Sequence, residues 1–169
     1  MSLAKRVLTA LALVAAGLVM VTSPAQAAAD TSVHVSGKTL FIVGTGGGEI
    51  VNVNFVNGIL TVDSTSGIVA GANCGNVGAA VAQCSGAIQF LDVSLLGGDD
   101  TFTNGTGLQS TVLGGPGLDV LNGGSGRDGL NGGSEDDILK GNGGIDTANG
   151  VGGFDKCTAE TETACEADA

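Results

Sequence analysis

The chain has 169 residues, with 31 Gly, five Phe and neither Trp nor Tyr, which excludes a core built on aromatic packing. Seventeen Asp and Glu against six Lys and Arg give a net charge of −11, a field that repels nucleic acid and anionic membranes and attracts cations. Glycine without a three-residue period, beside only two Pro, excludes collagen.

Residues 1–27 read as a signal peptide. Lys5 and Arg6 open it, Val7 to Val21 is apolar, and Ala25-Gln26-Ala27 supplies the small residues of a cleavage site. The apolar run is shorter than the ~20 residues that span a bilayer. The expectation is a secreted, extracellular, soluble chain released after Ala27, with no membrane span. Losing Lys5 and Arg6 leaves four basic against 17 acidic residues, a net of −13. Fourteen of those acids lie from Asp92 onward, where they form either a solubilising tail or a set of ligands, and spacing decides which.

Residues 28–96 read as an irregular β-rich segment of short strands. Val51-Asn52-Val53-Asn54-Phe55 and Leu60-Thr61-Val62-Asp63 alternate apolar with polar, the period of a half-buried strand. Leu40-Phe41-Ile42-Val43 is apolar throughout and is expected to be buried on both faces. Asn57-Gly58 signals a tight hairpin. Gly67 to Ser85 is rich in Gly and Ala and is expected to be a loop, and Ile88 to Leu96 is again strand-like. No helical period follows the signal. The four Cys, an even count in an exported chain, favour disulfides over thiols or zinc. Of the three possible pairings, Cys74–Cys84 with Cys157–Cys165 is the simplest.

From Gly114 the chain repeats itself: GGPGLDVLN, GGSGRDGLN, GGSEDDILK, GNGGIDTAN and GVGGFDKCT. Position one is always Gly (114, 123, 132, 141, 150), and position six is always Asp: Asp119, Asp128, Asp137, Asp146 and Asp155. Position eight is Leu121, Leu130, Leu139, Ala148 and Cys157. A degenerate approach begins at Gly97, where Gly97-Gly98-Asp99-Asp100-Thr101-Phe102 fits the second half of a repeat with Asp100 at position six. The next unit places Gln109 there, with one inserted residue before Gly114. Gly44-Thr45-Gly46-Gly47-Gly48-Glu49 is a fainter echo, read as metal-free.

These nonapeptides resemble the repeats-in-toxin (RTX) family, whose G-G-x-G-x-D-x-U-x unit binds Ca²⁺ in a parallel β-helix. The resemblance is carried by residues 114–158. Glu135 replaces the fourth-position Gly of the third repeat, and Asn142 and Val151 replace second-position Gly in the last two. The resemblance implies an all-β, right-handed parallel β-roll over residues 97–158, followed by an acidic tail, 159–169. Six residues of each repeat would form a turn and three a strand, with two repeats per circuit. Residues 18 apart would then stack, putting Asp119, Asp137 and Asp155 along one edge and Asp128 and Asp146 along the other. Calcium wants 6–8 oxygens from carboxylates and carbonyls. The implied ligands are these five Asp, with turn carbonyls of Gly114, Gly115, Gly117, Gly123, Gly124, Gly126, Gly132 and Gly133. Three sites follow, between 119 and 137, 137 and 155, and 128 and 146, with a flanking fourth at Asp100.

Ordering backbone costs ~1–2 kcal/mol per residue, and each nonapeptide buries one apolar side chain worth ~1.5–3. Metal binding is therefore expected to supply the folding free energy, at the ~10⁻⁴–10⁻³ M affinities of extracellular modules.

Enzymatic activity is not expected: there is no HExxH helix, no GxSxG elbow, and the single histidine, His34, reads as an ordinary strand residue. No long apolar helix remains for a pore-forming toxin. The amino-terminal signal also departs from RTX toxins, which usually leave through an exporter that reads the C-terminus. Asn104-Gly105-Thr106 matches a glycosylation acceptor. The expected partner is the calcium ion and the expected state a monomer. The alternative is an adhesion module, rigidified by calcium, whose N-terminal strands bind a cell-surface or polysaccharide partner.

Overall fold

The computed structural model describes residues 30–166. The expected signal peptide, residues 1–27, lies outside the described residues. The fold is all-β, with no helix among the described residues.

Alternation of apolar and polar residues sets the leading strands β1 (Thr31–Ser36), β2 (Thr39–Val43), β3 (Ile50–Val56) and β4 (Ile59–Ser64). In β1 every second side chain is buried. β2 corrects an expectation: Leu40 and Ile42 are buried, but Phe41 is only half-buried and Val43 is exposed. Among the described residues no second layer covers the outer face, where His34 stacks on Phe41 with ring centroids 5.1 Å apart. Asn57 and Gly58 close the β3–β4 hairpin with φ of 52° and 79°, the pair of left-handed residues that a two-residue turn requires.

The stretch expected to be a loop carries three strands instead: β5 (Ile68–Ala70), β6 (Cys74–Gly78) and β7 (Val81–Cys84). Cys74 and Cys84 stand directly opposite on β6 and β7 and are bonded. The Asn76 side chain donates to the Ile68 carbonyl at 2.5 Å and accepts the Ala70 N–H at 2.8 Å, which fastens β5 to β6. Small residues, weak strand formers alone, are held extended by these two devices.

The remaining strands are β8 (Phe90–Ser94), β9 (Thr101–Asn104), β10 (Gln109–Pro116), β11 (Val120–Asn122), β12 (Asp128–Ser134), β13 (Ile138–Lys140), β14 (Thr147–Gly152), β15 (Lys156–Thr158) and β16 (Thr161–Thr163). Two mixed sheets result. The first runs β16-β14-β12-β10-β8-β2-β1-β5 and the second β15-β13-β11-β9-β3-β4-β7-β6. From β8 onward the chain alternates between the sheets, and from β10 onward each strand pairs in parallel with the one two before it. Leu121 lies opposite Leu139, which lies opposite Cys157; Val112, Leu130 and Ala148 line up likewise. Each of these steps spans two nonapeptides. β2 and β3 pair in parallel with β8 and β9, so residues 28–96 contribute strands to the same two sheets as the repeats.

Between the sheets runs one apolar cluster. Ile42, Val93, Val112, Leu130 and Ala148 come from the first sheet, and Val51, Phe102, Leu121, Leu139 and Cys157 from the second. Position eight of every repeat is buried here, as the pattern predicts. The strands differ from the expected three residues: β10, β12 and β14 continue into the following glycines, whereas β11, β13 and β15 keep to three.

Candidate metal centre

Because consecutive strands change sheets, every turn belongs to one of two stacks, one leading from the first sheet to the second and one leading back. The 18-residue step aligns position six within each stack. In the outward stack each carboxylate accepts the backbone N–H of its counterpart one layer before. Asp100 Oδ1 takes the Glu49 N–H at 2.8 Å, Asp119 takes Asp100 at 2.9 Å, Asp137 takes Asp119 at 2.8 Å and Asp155 takes Asp137 at 2.8 Å. Glu166 accepts the Asp155 N–H at the end. In the return stack Asp128 Oδ1 accepts the Ser110 N–H at 2.9 Å and its hydroxyl at 2.6 Å. Asp146 accepts the Asp128 N–H at 2.8 Å, and Glu160 the Asp146 N–H at 2.7 Å.

The predicted Asp119, Asp137 and Asp155 thus share one stack with Asp100, and Asp128 and Asp146 share the other. Glu49, which the sequence places in the Asp position of an echo read as metal-free, begins the outward ladder. Three further participants were not predicted. Ser110 rather than Gln109 stands opposite Asp128, because the inserted residue falls before it, where Leu91 to Ser110 takes one residue more than a circuit. Glu160 and Glu166 end the ladders from the tail, at steps of 14 and 11 residues that no nonapeptide template detects.

The second oxygen of these carboxylates separates two kinds of turn. Oδ2 of Asp100, Asp119, Asp137, Asp146 and Asp155 is buried, each residue being only 1 % exposed, and has no hydrogen-bond partner among the described residues. Leaving a buried acceptor unpaired costs about 1–3 kcal/mol, more for a charge. Three other turns satisfy themselves. Glu49 accepts the Thr45 N–H at 2.7 Å and the Thr45 hydroxyl at 2.5 Å. Asp128 Oδ2 accepts the Gly124 N–H at 2.7 Å. In the turn before β10, the Asn104 amide accepts the Thr106 N–H and hydroxyl and donates to the Leu108 carbonyl. Asn104 is therefore buried and engaged, which withdraws it as a glycan acceptor in the folded chain.

Main-chain oxygens approach the unpaired ones. Asp119 Oδ2 and the Gly132 carbonyl converge on the space a side chain at Gly114 would fill, and Asp155 Oδ2 and the Ala164 carbonyl do so at Gly150. At Gly123 an added Cβ would stand 2.7 Å from both Asp128 Oδ2 and the Gly141 carbonyl. The Gly115 carbonyl faces Gly133, and that of Gly126 faces Gly144. Of the other predicted carbonyls, Gly123 accepts from Asn142 Nδ2 and Gly124 from the Gly143 N–H. Gly114, Gly117 and Gly133 lie in the same outward turns. Gly115, Gly117 and Gly133 have φ of 121°, 132° and 132°, values that explain glycine there.

Burial, and then the neighbouring carboxylates, raise the affinity of these groups for protons. Asp100 is pushed up to about 7 by burial, reinforced by Glu49, Asp119 and Asp99, against the opposing pull of its backbone hydrogen bond. Asp137 is pushed up to about 7 by burial, with Asp119, Asp155 and Glu135 adding to it. Burial also raises Asp119 and Asp146.

Unpaired buried carboxylate oxygens beside carbonyls form an all-oxygen donor set, which fits a hard cation. Among the described residues no point gathers three or more His, Cys, Asp or Glu side chains, so carboxylates arrive singly or in pairs and carbonyls must complete any shell. Both disulfides, Cys74–Cys84 and Cys157–Cys165, are formed, leaving no free thiol among the described residues. Compared with family models, curated proteins and solved structures, the chain matches none.

Proposed function

We propose that this chain is an extracellular calcium-binding protein whose repeats form a right-handed parallel β-roll held together by Ca²⁺ between stacked turns. The observation that carries the reading is the set of five buried Asp oxygens without a partner, aligned along two stacks of glycine turns. A cation there would replace the missing hydrogen bonds and cancel the repulsion along each ladder. The ligands proposed are Asp119, Asp128, Asp137, Asp146 and Asp155, joined by Asp100, whose Oδ2 is as unpaired as those of Asp119, Asp137, Asp146 and Asp155. Calcium suits such irregular oxygen sets, whereas Mg²⁺ demands near-octahedral geometry and keeps its waters. Zinc prefers nitrogen and sulfur, and the cysteines are bonded to one another.

The 18-residue register and the alternation between sheets support the roll, and the general preference of parallel crossovers supports its hand. Two disulfides support an oxidising, extracellular setting, in line with the signal peptide read from residues 1–27. No catalysis is proposed. The adhesion alternative rests on Phe55, Val56 and Ile59, which expose about half of their surface at the β3–β4 hairpin; retention on cell-wall polysaccharide would support it.

Circular dichroism of residues 28–169 tests the main reading. Stripping metal should convert much of the β signal to coil, and millimolar Ca²⁺ but not Mg²⁺ should restore it. A β signal indifferent to metal, with no calorimetric heat on adding Ca²⁺, would reject it.

A further inference from the structure

The repeats end at Thr158, yet Asp155 in the last of them has the surroundings of an internal rung. Inside the stack, Asp119 has two neighbours in the next layer: its N–H donates to Asp137, and its Oδ2, beside Gly114 of its own turn, converges with the Gly132 carbonyl. At Asp155 the N–H donates to Glu166, and Oδ2 lies beside Gly150 and converges with the Ala164 carbonyl. Asp155 is 1 % exposed and its Oδ2 has no partner. Neither Ala164 nor Glu166 belongs to a nonapeptide. They reach these places because Cys165, between them, is tied to the buried Cys157 of the last strand in the second sheet. Ala164 takes φ of 48°, a left-handed conformation unusual for alanine, and its carbonyl lies where a further repeat would place that of glycine.

We infer that the disulfide-closed tail builds a terminal Ca²⁺ site from Asp155, the Ala164 carbonyl and Glu166, replacing the repeat that the chain lacks. The inference rests on the calcium reading and adds a site that the repeat pattern does not contain. The ligand is a hard divalent cation held by two carboxylates from different layers and one carbonyl. The site depends on the Cys157–Cys165 bridge, since the bridge holds two of its three contributors in place. A strongly reducing environment would then release this ion ahead of those between repeats.

Counting bound Ca²⁺ by native mass spectrometry and calorimetry tests the inference, using the oxidised mature chain with Glu166→Ala. Glu166 is exposed, and Glu162→Ala, on the same tail, serves as control. The expected result is one ion fewer in Glu166→Ala and the full number in Glu162→Ala. A full count in Glu166→Ala would overturn the terminal site and leave the calcium reading standing. Loss of every ion would make Glu166 a structural cap instead of a ligand and would overturn the site as well. A wild-type chain that binds no Ca²⁺ would remove the site together with the calcium reading.

Discussion

A methyl group on Gly132 would overlap the carboxylate of Asp137, five residues along the same turn. The same overlap recurs between Gly114 and Asp119, Gly141 and Asp146, and Gly150 and Asp155. Position one is therefore glycine for want of space beside the Asp carboxylate, whereas positions two and four take positive φ in every repeat but the second. Where the repeat pattern lapses at those positions, the substitutes still adopt the left-handed region: Glu135, Asn142 and Val151 have φ of 73°, 70° and 79°. Asn tolerates this and a β-branched Val does not, so the fifth repeat carries strain. Gly129 is different. It lies inside β12, and a Cβ there would meet only Thr147 Oγ1 at 3.6 Å and the Ser110 carbonyl at 3.9 Å. Gly132→Ala is thus expected to lower stability by about 1–3 kcal/mol through overpacking and to weaken Ca²⁺ binding. Gly129→Ala is expected to leave stability unchanged or raise it by up to about 1 kcal/mol. Chemical denaturation with saturating Ca²⁺ checks both. At this scale the nine-residue period made Asp119 to Asp155 legible, because each turn is built from the same six residues. Ser110, Glu160 and Glu166 escaped it because the chain reaches them by steps of other lengths.

At the scale of the element, the strands fall into two classes. β1 to β4 and β7 bury pairs of apolar residues such as Val33 and Val35, Leu40 and Ile42, Val51 and Val53, Leu60 and Val62, and Ala82 with bonded Cys84. β11, β13 and β15 each bury one. The turns serving the first class satisfy their own polar groups, Thr45 with Glu49 and Asn57-Gly58 by conformation. The turns leading into the second, at Asp119, Asp137 and Asp155, leave carboxylate oxygens unpaired. Metal removal should therefore be uneven: amide exchange in chelator should keep protection in β1 to β4 and β7 and lose it from β11 to β16. Uniform loss of protection would contradict this division. The hairpin at Asn57-Gly58 was legible because its chemistry is local. The strands between Gly67 and Ser85 were not, because cross-links from Asn76 and Cys74 hold residues with little strand preference of their own.

For the whole molecule, the ladders couple folding to protons and, on the proposed calcium reading, to metal. An unfolded Asp titrates near 3.9, while Asp100 and Asp137 in the fold are pushed to about 7. The folded chain without metal holds more protons between those values, so its stability is fullest below pH ~4 and declines as pH rises through about 7. Metal-stripped protein should consequently melt at a higher temperature at pH 5 than at pH 8, and saturating Ca²⁺ should shrink or invert that gap. Equal melting temperatures of the stripped chain at the two pH values would refute the coupling.

The alternation of the chain between its two sheets has a bearing on how such a molecule changes size. An in-frame duplication of two nonapeptides would insert one strand into each sheet and leave the disulfide-tied tail and the leading hairpins with the neighbours they already have. Height would grow by one strand spacing, ~4.8 Å, and on the calcium reading ion capacity with it, so length is the property this architecture can vary most freely.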